Sequence, residues 1–125
     1  MPLSPYRVLD LTQSNGVLCA QILGDLGADV IQIEPPGGAA GRKLGPFANG
    51  HANAPEHSLF WWAYSRGKRS LELDIVTSKE LYLQLVAHAD FLIEAEPPDS
   101  LAAKGLDYDS LAAINPGLIM VSLTP

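Results

Sequence analysis

The chain has 125 residues, 47% hydrophobic and 18% charged, with a formal net charge of −6. That length serves one α/β domain and is short for two, and the acidic balance argues against nucleic acid or an anionic membrane as the main partner. No apolar run approaches the roughly 18–20 residues of a membrane span, the opening MPLSPYRVLDL lacks the pattern of a secretory signal, and a single cysteine, Cys19, excludes an internal disulfide or a Cys-based zinc site, so a cytoplasmic location is expected.

In chain order, Arg7 to Thr12 (RVLDLT) reads as a short buried strand, and Gly16 follows it. Val17 to Leu26 reads as a helix, with Val17, Leu18, Ile22, Leu23 and Leu26 near helical spacing and Gly27 as its stop. Asp29 to Glu34 (DVIQIE) is a second strand, so that strand, turn, helix and strand make a parallel βαβ unit. Pro35 to Glu56 carries too many Gly and Pro breakers for a regular element, and a loop of that length is usually functional. Ser58 to Tyr64 (SLFWWAY) predicts a helical turn, and Arg69 to Ile75 (RSLELDI) alternates like a strand. Thr77 or Ser78 is placed to cap a helix reaching about His88, with Leu81, Leu83, Leu85 and Val86 on its buried side. Asp90 to Glu94 is a further strand, Leu101 to Gly105 and Tyr108 to Ile114 are short helices, and Leu118 to Leu123 is a last buried strand. This order predicts an α/β, Rossmann-like, doubly wound and mostly parallel sheet in a single domain over residues 1–125.

In such sheets ligands bind at the carboxyl ends of the strands, where loops and helix N-termini present backbone N–H groups. The first such turn, Thr12-Gln13-Ser14-Asn15-Gly16, has one glycine and no G-x-G-x-x-G fingerprint, so NAD is not indicated. It is either a plain turn or an anion contact through Asn15 and Gly16. Five of the eight Lys and Arg residues lie between positions 42 and 69, three of them in Arg66-Gly67-Lys68-Arg69. That concentration suits a ligand with several phosphates; the alternative is an exposed turn pairing with Glu72, Asp74 or Asp90. Phe60, Trp61, Trp62 and Tyr64 either stack on a base and line an acyl pocket or pack the loop onto the sheet. His51, His57 and His88 lack metal-ligand spacing, so no metal is expected. Asp10 is explained by turn hydrogen bonding, and no residue reads as a convincing nucleophile.

Taken together, Arg7–Thr12, Gln21–Gly37 (QILGDLGADVIQIEPPG), Arg66–Asp74 (RGKRSLELD), Ala89–Glu94 and Ile114–Leu123 (INPGLIMVSL) resemble the family III CoA transferases over essentially the whole chain. The resemblance implies the amino-terminal part of a large Rossmann-like domain that binds coenzyme A at its carboxyl edge. It implies transfer of CoA from an acyl-CoA to a carboxylic acid acceptor through an aspartyl-CoA intermediate, without metal or NAD. The aspartate concerned lies beyond residue 125 in the family, whose members are interlocked homodimers; the chain is thus expected to be a fragment, inactive alone. Position by position, Ser14 and Asn15 fall in the loop that touches CoA, one residue shorter here, with Gly16-Val17 for the family's Gly-Pro. Leu73 and Val76 match the adenine pocket, Lys104 matches a basic position that meets the CoA phosphates, and Lys68 and Arg69 match the family's basic run. Pro35 replaces an arginine near the adenine end. Ala95-Glu96 replaces a frequent Asn-Phe, and the alanine resembles carnitine-type members. The alternatives are an acyl-CoA racemase or isomerase of the same family, a non-catalytic CoA-binding module, and a generic nucleotide-binding sheet.

Overall fold

A computed structural model describes residues 1–51 and 54–124. Five strands form one sheet: β1 Arg7–Asp10, β2 Asp29–Glu34, β3 Arg69–Glu72, β4 Phe91–Glu94 and β5 Ile119–Ser122. All four pairings are parallel, in the order β3-β2-β1-β4-β5. The chain therefore winds outward from β1 to one edge and then returns to cross to the other side of β1. The direction of winding changes between β1 and β4, and the loops leaving those two strands diverge there.

Strand periodicity divides the apolar residues between two faces. Leu9, Ile31, Ile33 and Leu92 enter the larger core, under helices α3 (Lys79–Ala87), α4 (Ser100–Ala103) and α5 (Tyr108–Ile114). Tyr82, Val86, Leu101 and Leu111 meet them there, all buried. Val8, Val30 and Ile93 face the other way, against α1 (Val17–Asp25). Helix α2 (Leu59–Ser65) packs beside α1 through Trp61, Val17 and Ala39.

The expected elements are all present, with corrections of detail. Strand β3 ends at Glu72 rather than Ile75, and β5, expected to be buried, is an edge strand with Ile119 and Ser122 exposed. Helix α1 buries Val17, Ala20 and Gln21, whereas Leu18, Ile22 and Leu26 are exposed. Small residues allow the helix to sit close to the sheet, and a Cβ built on Gly24 would lie 3.4 Å from Val30; side-chain size misidentified the inner stripe. Helix α3 starts at Ser78 without a side-chain cap from it. Instead the Asp74 carboxylate accepts from the Val76 and Thr77 amides at 2.9 and 3.1 Å, which holds its pKa below the usual carboxylate range. The buried apolar residue of α3 is Tyr82 along with Val86, and Leu81 is exposed. The long segment after β2 is folded into three short 3₁₀ turns, Ala40–Lys43, Ala48–Gly50 and Pro55–His57. Among the described residues no helix is long and apolar enough to cross a membrane.

Candidate coenzyme site

Three adjoining hollows run along the carboxyl ends of the strands. One of 240 Å³ lies above β2 and β3, lined by Leu11, Gln13, Leu73, Val76, Glu96 and Lys104 among others. The next, of 250 Å³, sits where the winding changes direction, between the loop after β1 (Gln13, Ser14, Asn15) and the loop after β4 (Ala95, Glu96). A third continues past Asn15 and Ala95 to Leu123. Shared walls at Gln13, Asn15, Ala95 and Glu96 make the three one elongated cleft.

Of the expected residues, Ser14, Asn15, Leu73, Val76, Ala95 and Lys104 all line this cleft. Leu73 and Val76 are brought there by the tight turn that Asp74 organises, and Lys104 by the end of α4. Among the described residues, the amides of Ser14, Asn15 and Gly16 donate to no protein acceptor. They stand at the N-terminus of α1, where unsatisfied N–H groups and the helix dipole favour an anion. Gly16 has φ of 85°, and a Cβ there would meet Leu123 Cδ1 at 2.5 Å. The positive φ calls for glycine, and an added Cβ would also have to push the Leu123 side chain aside.

Lys68 and Arg69 are not in the cleft, and the expectation that they meet phosphates is corrected. Lys68 is buried beneath α1, with its ammonium 2.9 Å from Asp10 Oδ2, 3.1 Å from Val17 O and 3.3 Å from Gln32 Oε1. Its three donors thus already have acceptors. Arg69 lies at the opposite, amino edge of the sheet, where it pairs with Asp29 at 2.7 Å. Arg66 pairs with Asp25 at 3.0 Å. The basic run is therefore closed by ion pairs, though with partners other than Glu72, Asp74 and Asp90.

Three features escaped the sequence reading. Gln13 lines two of the hollows and holds the loop above it, accepting from the Gly41 amide at 2.8 Å. A Cβ on Gly41 would come within 2.5 Å of that same Gln13 carbonyl. Glu34, nearly fully buried, receives Arg42 Nε at 2.6 Å, Arg42 Nη2 at 2.8 Å, the Ala39 amide at 2.9 Å and the Ser70 hydroxyl. Burial pushes its carboxyl up, but the bonds from Arg42, Ser70 and Ala39 outweigh that and bring it down to about 2. Arg42 also lies over the Trp61 ring at 4.9 Å. So the loop after β2 is pinned beside the cleft. Trp61 packs that loop, and Trp62 is exposed with its indole N–H on Glu56 O. The only signals for this pinning were the Gly-rich segment and Arg42 itself.

Residues 3–125 match the family described as CoA-transferase family III. The chain belongs to that family. It is 40% identical to a probable fatty acyl-CoA transferase of Mycobacterium tuberculosis, over 98% of this chain and 31% of that protein. A succinate–glutarate CoA-transferase of Agrobacterium fabrum is 41% identical, over 98% of this chain and 32% of that protein. A crystal structure of a CAIB/BAIF family protein from Brucella suis superposes with a TM-score of 0.86 at 41% identity, covering 98% of this chain and 33% of the other. The chain spans about a third of the length of the curated relatives it matches.

Proposed function

We propose that this chain forms the coenzyme-binding part of an enzyme that moves CoA from an acyl-CoA to a carboxylic acid. The continuous cleft at the carboxyl edge of the sheet carries this reading, since it sets an apolar slot, a cation and free amides in one line. The adenine lies against Leu73 and Val76, and Lys104 meets a phosphate. The amides of Ser14 to Gly16 take the pyrophosphate, and the thiol arm passes between Asn15 and Ala95. Each contact is of a kind with known strength: a charge-assisted hydrogen bond contributes about 1.5–3 kcal/mol. The carboxylate that accepts the acyl group belongs to polypeptide outside these 125 residues, in an interlocked homodimer. Residues 1–125 act as one domain within it, in the cytoplasm.

The transferase names of the similar proteins support transfer over racemisation. A titration of the purified chain with CoA, ATP and NAD tests the reading. CoA should bind most tightly, and equal or tighter binding of ATP or NAD would overturn it. With succinyl-CoA and a free acid the chain alone should give no acyl transfer.

A further inference from the structure

Under the loop after β1 lies a polar network that reaches the cleft wall only at Thr12. Asp10, Thr12, Gln32 and Lys68 are all buried, with side-chain exposure of 0% for Asp10 and 2% for Lys68. One oxygen of Asp10 accepts from the Thr12 amide at 2.9 Å and the Thr12 hydroxyl at 2.6 Å, and the other from Lys68. Gln32 donates to the carbonyls of Thr12 and Asp10 and accepts from Lys68. Lys68 also bonds the carbonyl of Val17. One ammonium thereby ties residues 10, 17 and 32 directly, and Thr12 through Asp10 and Gln32. These bracket the loop Gln13–Gly16 at both ends.

A buried ion pair is a poor source of net stability, because desolvating both charges offsets most of their attraction, and an apolar pair of similar volume often does as well. What the pair supplies here is geometry. Thr12 and Val17 flank the loop whose Ser14, Asn15 and Gly16 amides are free among the described residues. Thr12 is held to Asp10 of β1 and Gln32 of β2, and Val17 to Lys68, which precedes β3.

Resting on the coenzyme reading above, we propose that Lys68 and Asp10 are positioning residues, which pre-arrange the Gln13–Gly16 amides for the coenzyme's pyrophosphate without touching it. Pre-arrangement lowers the ordering cost that binding would otherwise carry. The adenine slot is built mainly by Leu73, the Asp74 turn and Val76, and it meets the loop only at Gln13.

The two parts can be read apart by titrating the chain with CoA and with adenosine 3′,5′-bisphosphate, which has the adenine end but neither pyrophosphate nor pantetheine. Lys68→Met retains the stem and removes the ammonium. It should weaken CoA binding by about tenfold or more while the bisphosphate changes by less than about twofold. Thr12→Val leaves the ion pair intact and deletes one bond to Asp10. It should show the same selective loss at about threefold, and it carries the test if Lys68→Met does not fold. Equal loss of both ligands, or unchanged CoA affinity in a folded variant, would overturn the positioning role. A wild-type chain that binds no CoA would instead overturn the functional reading on which this role rests.

Discussion

Lys68 and Arg69 are adjacent in sequence, both cationic, and both paired with an aspartate, yet they belong to different ends of the sheet. At the amino edge, Arg69 and Arg7 converge on Asp29 in partly exposed ion pairs. At the carboxyl edge, Lys68 meets Asp10 and Arg42 meets Glu34 with both acids buried. Water screens the first set, so it is worth little and can be replaced. In the second set both acids are shut away from water, and the pairs tie loops to strands. The difference shows where this fold commits its geometry: the edge that presents loops to a ligand is braced by buried charge, whereas the opposite edge is merely neutralised.

The sharpest way to break this contrast is to remove one buried partner. Lys68→Ala should lower stability by about 3–5 kcal/mol in urea unfolding at neutral pH, since Asp10 is then buried without a cation. A loss under 1 kcal/mol would mean that water reaches Asp10. Next in size is Lys104→Ala, which should weaken CoA binding by about 1–3 kcal/mol with little change in stability, because Lys104 is exposed on the cleft wall. Wild-type affinity in that variant would move the phosphate site elsewhere.

Acid titration sharpens the same comparison. The folded Glu34 carboxyl is lowered from 4.5 to about 2. The stability it adds is therefore complete above pH 4.5 and is lost as pH falls through about 2. Glu34→Gln should flatten the acid limb of the stability curve between those values, and an unchanged limb would remove Glu34 as its cause. The smallest effect belongs to the amino edge: Arg69→Ala should cost about 0.2–1 kcal/mol, diminishing further in high salt. A cost as large as that of Lys68→Ala would erase the contrast.

Four of the strands were legible as apolar runs and β3 by its alternation, and strand Asp29–Glu34 and helix Tyr108–Ile114 have the bounds that their patterns suggest. The inner face of α1 was not, because its packing depends on Ala20 and Gly24, whose small size carries no hydropathy signal. Positions carried over from the family resemblance, such as Leu73 and Lys104, fall at the cleft. The basic run misled for a definite reason: charge density along a chain does not say which end of a strand each side chain leaves from. Alternation sends Lys68 under α1 and Arg69 to the other side, and only the fold reveals that Asp10 waits beneath the helix. Pairing across 58 positions is invisible to local pattern.

The space at Gly16 is occupied by Leu123, so the first turn of α1 and the end of β5 share one volume. A methyl group at position 16 would require the Leu123 side chain, which is only half-buried, to turn aside. An alanine introduced there would also need the left-handed backbone that side chains resist. Change at the start of that helix is thus felt first at the far end of the sheet's last strand.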